Sequence, residues 1–231
     1  MRRVMLKLSG ESLSGDEKYG FNDNTIKKIA KVIKDSLNEK VQIAIVIGGG
    51  NFYRGRTSTD IDRYKADGVG MLATCMNAIY FSEFLKNESI SSSIYGAFEI
   101  NGFIKQFNKD DAINDLNNKK IVLLSGGTGH PYFTTDTGVA LRAIELECTE
   151  ILMAKAIDYI YDKDPNVYND AKKYDTIFIQ EVIDKKLNAI DLTAAILLLE
   201  NKIPCTFFLG KDINNIKKAI DGTVCGTRLI I

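Results

Sequence analysis

Glycines at 126, 127 and 129 and threonines at 128, 134 and 135 crowd the segment Leu124-Ser-Gly-Gly-Thr-Gly-His-Pro-Tyr-Phe-Thr-Thr-Asp136. Their chemistry is that of anion binding. A strand, then a loop rich in Gly and Thr, then a helix start lets backbone N–H groups and hydroxyls converge on a phosphate. The apolar run Ile121-Val-Leu-Leu124 leads into this segment, and a helical pattern from Thr137 to Glu147 follows it. Two further junctions of the same kind lie upstream, Met5-Leu-Lys-Leu-Ser-Gly-Glu11 and Ala44-Ile-Val-Ile-Gly-Gly-Gly-Asn51. One such turn is only a tight turn; three at the ends of strands point to an enzyme that handles phosphate.

Two familiar phosphate motifs fail. Gly10-Glu-Ser-Leu-Ser-Gly15 has the glycine spacing of a P-loop, but Asp16 stands where the lysine belongs. Gly48-Gly-Gly50 runs on into Asn51-Phe52-Tyr53, so the third glycine of a dinucleotide fingerprint is missing. Charged residues beside the loops are the remaining candidates. Lys7 interrupts an apolar strand; it sits either on a solvated edge or at the C-terminal end of a strand in the ligand crevice of an open α/β sheet. Arg54 follows the triple glycine closely, as a phosphate contact or a surface residue. Asp136 and Asp191 each precede a helical run, where a carboxylate caps the helix or serves the site. His130 has no carboxylate or nucleophile near it in sequence and reads as a loop residue.

The elements needed to position these residues alternate. Strands are expected at Val4–Leu8, Gln42–Ile47, near Ser93–Tyr95, at Lys120–Leu124, Ile151–Ala154, Cys205–Phe208 and Thr227–Ile231. Helices are expected at Asn24–Leu37, about Asp67–Lys86, Thr137–Glu147, and near Phe178–Lys185, Leu192–Asn201 and Ile213–Ile220. Asp162-Lys-Asp-Pro-Asn166 is a turn cluster. Strand–helix alternation with continuously apolar strands predicts one α/β unit around a mostly parallel sheet. No Pro/Gly/Ser-rich linker or internal repeat divides the 231 residues.

Composition removes other classes. Thirty basic and thirty acidic residues cancel, so no global field favours nucleic acid or an anionic membrane. The apolar runs are too short to span a bilayer, and the N-terminus does not read as a secretory signal. Cys75, Cys148, Cys205 and Cys225 are widely spaced, with His130 the only histidine. They read as reduced packing residues of a cytoplasmic protein rather than as zinc ligands or disulfides.

Several motifs together resemble the bacterial UMP kinases, members of the amino acid kinase fold family. They are Lys7-Leu-Ser-Gly-Glu11; Ile47-Gly-Gly-Gly-Asn51 with Arg54; Asp67 with Gly70-Met-Leu-Ala-Thr74 and Asn77; Thr128 to Asp136; and Ile190-Asp191-Leu. The order is collinear over nearly the whole chain. The resemblance implies a three-layer α/β sandwich and the reaction ATP + UMP ⇌ ADP + UDP. It also implies Mg²⁺ on the ATP phosphates (possible contact, Asp136) and a homohexamer. An acceptor-binding lobe of about residues 1–150 would precede an ATP-binding lobe of about 151–231. Lys7, Leu8, Ser9, Gly10, Gly50 and Arg54 would hold the ATP phosphates, with Lys155, Tyr161 and Asp164 around the adenosine. Gly49, Thr128, Gly129, His130, Pro131, Tyr132, Phe133, Thr134 and Thr135 would hold UMP, and Asp67 would accept its ribose hydroxyls. Lys7, Arg54, Asp136 and Asp191 would form the catalytic set.

One segment departs from that family. Lys155-Ala-Ile-Asp-Tyr-Ile-Tyr161 is two residues short of the usual pattern, and Tyr159 replaces a glycine. Base recognition is therefore expected to relax while phosphate recognition stays. Two other readings compete: a relative with a carboxylate or carbamate acceptor, and a metal-oxoanion storage protein of the same fold. Asp67 and the Thr128–Thr135 loop argue against the first. The intact set of Lys7, Arg54 and Asp136 argues against the second.

Overall fold

A computed structural model describes residues 1–17, 19–53, 60–187, 189–223 and 225–231. Its strands are β1 (Arg2–Leu8), β2 (Val41–Ile47), β3 (Ser92–Gly96), β4 (Lys105–Gln106), β5 (Ile121–Ser125), β6 (Glu150–Lys155), β7 (Ile160–Tyr161), β8 (Lys173–Tyr174), β9 (Thr176–Phe178), β10 (Cys205–Leu209) and β11 (Gly226–Ile230). Nine of them form one sheet in the order β4-β3-β5-β2-β1-β6-β10-β11-β9, while β7 and β8 pair separately. Within the large sheet, among the described residues, every pairing is parallel except β10 with β11.

The strands at the centre are apolar on both faces because both faces are covered. Val4, Leu6 and Leu8 of β1 point into one core with Ile26, Ile29, Ala30 and Ile33 of α2 (Asp23–Ser36). Phe81 and Leu85 of α3 (Arg63–Asn87) and Ile216 of α8 (Ile213–Asp221) complete that layer. Met5 points the opposite way, with Val46, Leu124 and Met153. Their cover is α4 (Lys109–Asn117), α5 (Thr135–Glu145), α6 (Ile179–Asp184) and α7 (Leu192–Asn201). The result is a three-layer α/β/α sandwich with the parallel sheet in the middle. Each fully buried Ile or Leu contributes about 1.5–3 kcal/mol, so the two-sided core dominates the stabilisation.

The expected long elements are present, with ends shifted by a few residues. α5 starts at Thr135 because Thr134, not Asp136, is its cap: Thr134 Oγ1 accepts the Thr137 N–H at 3.2 Å. Asp191 does cap α7, accepting the Ala194 N–H at 3.0 Å. The four-residue α1 (Glu11–Ser14), α4 and the strands β4, β7, β8 and β9 had not been expected. α3 buries Ala73, Ala78, Phe81 and Leu85 but leaves Val69, Leu72 and Met76 exposed, an apolar row at helical spacing on its outer side.

All four cysteines are free; Cys75, Cys148 and Cys205 are buried. Burial pushes each thiol up, Cys148 to about 12. Among the described residues no helix is long and apolar enough to cross a membrane.

Candidate active site

The cleft opens at the C-terminal ends of the parallel strands, where ligands of open α/β sheets bind. Its volume is about 790 Å³, and Lys7, Asp67, Ser125, Asp136, Lys155 and Asp191 are among its walls.

Strand parity brings two lysines together. β1 and β6 are parallel neighbours with Lys7 opposite Met153. Side chains alternate along a strand, so Lys7, two beyond Met5, and Lys155, two beyond Met153, share the face on which α5 packs. The first turn of α5 delivers Asp136 between them. Its Oδ1 lies 3.5 Å from Lys7 Nζ and its Oδ2 2.6 Å from Lys155 Nζ, with all three side chains no more than 18% exposed. Burial, the largest influence, pulls the Lys7 ammonium below an ordinary lysine, against the opposing charge of Asp136. Burial also pushes the Asp136 carboxyl up, but Lys7 and Lys155 outweigh it and hold the group below the usual carboxylate range. Two ammoniums on one carboxylate leave a net positive centre in a low-dielectric cleft. A buried charge cluster of this kind is a poor source of stability and a good receptor for an anion.

The sequence reading had placed Lys155 with the adenosine segment. The structure puts its ammonium at the charged centre, because it ends a strand paired with β1. Arg54 lies outside the described residues. Asp191 faces two hydroxyls rather than the lysines: Thr134 Oγ1 donates to it at 2.5 Å and Thr137 Oγ1 at 3.0 Å. It therefore fixes the start of α5 and, through it, Asp136.

Glycine is required where the first two loops touch. A Cβ on Gly10 would lie 2.4 Å from Asn51 Oδ1 and 2.7 Å from Gly48 O. One on Gly49 would lie 2.7 Å from Gly70 O on α3. The second loop and α3 are locked by a fully buried pair of amides. Asn51 Nδ2 donates to Asn77 Oδ1 at 3.0 Å, and Asn77 Nδ2 donates to Asn51 Oδ1 at 2.8 Å and to Gly48 O at 2.7 Å. Leu8 is buried in the core and meets the second loop only through its carbonyl, which accepts the Gly48 N–H at 2.9 Å. Ser9 Oγ accepts the Ser12 N–H at 3.2 Å and so closes the turn into α1.

The third loop hangs on α3 as well. Thr74 Oγ1 accepts the Gly126 N–H at 2.8 Å, and Asp67 Oδ2 accepts the Tyr132 N–H at 2.7 Å. Tyr132 has φ +72, a left-handed conformation rare for a side chain of its size, and this bond helps to hold it. Arg63 reaches the same Asp67 oxygen at 3.4 Å, with its guanidinium 5.3 Å from the Tyr132 ring centre. Thr128, His130, Phe133, Thr134 and Thr135 line the cleft, whereas Gly129, Pro131 and Tyr132 shape the loop behind it.

Tyr161 and Asp164 are not cleft walls. Tyr161 Oη donates to Asp158 at 3.0 Å, and the exposed Asp164 accepts the Asn166 N–H at 2.9 Å. Tyr159 is half-buried, with Lys173 Nζ 4.0 Å above its ring. The sequence reading assigned no part to Tyr53, Arg63 and Ser125, which also line the cleft. Sequence alone gives Thr74 and Asn77 no role. A polar residue recurring on the buried stripe of a helix is the signal that marks those two.

The arrangement matches known proteins throughout its length. The amino acid kinase family model matches residues 2–208. A UMP kinase from Bacillus anthracis superposes with a TM-score of 0.94 at 29% identity, covering 99% of this chain and 96% of its own. A UMP kinase from Ureaplasma parvum gives 0.93 at 29% identity, covering 100% and 99%. A uridylate kinase from Archaeoglobus fulgidus gives 0.75 at 26% identity, covering 99% and 100%. With the family model spanning most of the chain and the sheet, loops and charged cleft in place, this chain belongs to the amino acid kinase family.

Proposed function

We propose that the chain transfers the γ-phosphoryl group of ATP to UMP, yielding ADP and UDP. The observation that carries this reading is one cleft lined by two unlike groups. Lys7 and Lys155 on Asp136 make a cationic centre, and Asp67 on α3 adds a carboxylate. The likeness to two bacterial UMP kinases supports the choice of acceptor.

In this reading the UMP phosphate oxygen attacks the γ-phosphoryl group directly, with no protein nucleophile. Two anions must meet in line, so the chain's work is neutralisation and positioning. Lys7 and Lys155 take up negative charge, with Ser9, Gly10, Gly50 and Arg54 around the ATP phosphates. Asp136 holds the lysines in place, and Asp191 holds the helix start that carries Asp136. Gly49 and the Thr128–Thr135 loop receive UMP, and Asp67 its ribose hydroxyls. The lobes divide at about residue 150.

The residues around Asp136 do not fit a directly held divalent ion. Each carboxylate oxygen faces a lysine, and no group of three His, Cys, Asp or Glu is suited to a metal among the described residues. Mg²⁺ is accordingly assigned to the ATP phosphates, with no protein carboxylate as its ligand. The exposed row Val69, Leu72 and Met76 supports a homo-oligomer, proposed as a hexamer. Four free thiols suit the cytoplasm.

Turnover with ATP and, in turn, UMP, dUMP, CMP and aspartate tests the reading. UMP is expected to be the preferred acceptor. Without the 2′-hydroxyl one hydrogen bond to a charged acceptor is lost, at about 1–3 kcal/mol, so kcat/KM for dUMP falls by about 5- to 150-fold. Asp67→Asn should narrow that gap. Aspartate or CMP used as well as UMP would overturn the assignment.

A further inference from the structure

We propose that the Tyr53 hydroxyl is a ligand-binding group that donates a hydrogen bond to the phosphate of the acceptor nucleotide, an inference that rests on the nucleotide-kinase reading above. Among the described residues, Tyr53 Oη is the one buried side-chain nitrogen or oxygen without a hydrogen-bond partner. Polar groups of the same region are paired: Asn51 with Asn77, Thr74 with Gly126, Asp67 with Tyr132. A buried hydroxyl left unpaired destabilises the fold that contains it. Phenylalanine would fill the same space without that penalty.

The position of the ring says what the hydroxyl is for. Tyr53 lines the cleft together with Lys7, Asp67, Gly70 and Thr128. Its backbone N–H donates to Gly49 O at 3.1 Å, so the side chain is rooted one turn beyond the glycine loop that packs on α3. This is the part of the cleft assigned to the acceptor. Asp67 already offers that part a carboxylate for hydroxyl groups, and Arg63 is engaged with Asp67. The complementary need is a donor to an anion. A phenolic O–H supplies one, and its bond to a phosphate oxygen is charge-assisted. In this reading the hydroxyl gains its partner when the nucleotide binds.

Tyr53→Phe tests this, since it keeps the ring and removes one atom. Two quantities are measured: the thermal midpoint without nucleotide, and the Kd of UMP, uridine and ATP by calorimetric titration. The midpoint is expected to rise by about 2–4 °C. UMP binding is expected to weaken by about 10- to 100-fold, with uridine and ATP changing by less than about threefold. A hydroxyl that merely packs would not move stability and affinity in opposite directions. Unchanged UMP binding, or a lower midpoint, would overturn the inference. So would a loss for uridine equal to that for UMP, which would place the contact on the nucleoside. Wild-type protein that fails to bind UMP would overturn the nucleotide-kinase reading and this inference together; wild-type binding with an unaffected variant defeats the inference alone.

Discussion

A lysine surrounded by protein must be kept charged by its neighbours, and Lys7 has Asp136 and Glu11 to do so, against the like charge of Lys155. Lys7→Met should lower kcat by about 10²–10³-fold, the usual loss on removing one preorganised charge stabiliser. The melting curve should change little, since Lys155 still pairs with Asp136. Normal turnover by that variant would return Lys7 to a solvated role. The same burial sets the alkaline behaviour. The Lys7 pKa is lowered when folded, so between that value and its unfolded value near 10.5 the folded chain binds fewer protons. Stability from this group then rises with pH through the window, while the charge proposed to serve phosphoryl transfer is lost. A kcat–pH profile measured beside urea midpoints should show activity falling below pH 10.5 before the fold does. Activity that persists to that pH, or that falls only with the midpoint, would count against it. Lys7 and Asp136 were legible because a charge interrupts an apolar strand and a Thr-Thr-Asp run opens a helix. The contact of Lys155 with Asp136 was not legible because it depends on the register of β6 against β1.

At the scale of elements, α3 is the template on which the second and third loops hang, through Asn77, Thr74 and Asp67, and the first loop packs on the second at Gly10. The elements that were legible are those with long apolar periods: β1, β2, β5, β6, α2, α3 and α7. α4 escaped notice because Lys109-Asp-Asp-Ala-Ile-Asn-Asp-Leu-Asn117 carries few apolar residues, and burying Ala112 and Leu116 suffices to seat it. β4, β7 and β8 have two residues each, too few for any period to register. The shortened Lys155–Tyr161 segment remains the place where this chain should behave differently. Within it Tyr161 Oη donates to Asp158, and just beyond it Asp164 accepts the Asn166 N–H. Tyr159 has Lys173 over one ring face. Stacking without edge-specific bonds tolerates any purine at roughly 1–3 kcal/mol. Donor competition at saturating UMP should therefore show ATP preferred over GTP by less than about a hundredfold. A larger ratio would mean that the segment still reads the base by hydrogen bonds.

For the molecule as a whole, the exposed apolar row Val69, Leu72 and Met76 on the outer side of α3 calls for a cover. Light scattering at micromolar concentration should give the mass of an oligomer, and a monomeric mass would end that proposal. Its symmetry was not legible, since a row of apolar residues says that something covers it and not how many copies close the ring. The buried thiols have a different consequence. A thiol reacts only when it is both reachable and ionised, so Cys75, Cys148 and Cys205 can be labelled only as fast as the protein breathes. They amount to three clocks set in different layers: Cys75 in α3 beside Gly126, Cys148 behind α5, and Cys205 in β10. A disulfide reagent followed by mass spectrometry should mark half-buried Cys225 first and Cys205 among the last. Filling the cleft with UMP should slow the Cys75 clock and leave that of Cys148 nearly unchanged. Equal slowing at both would mean that the fold opens as one unit rather than loop by loop.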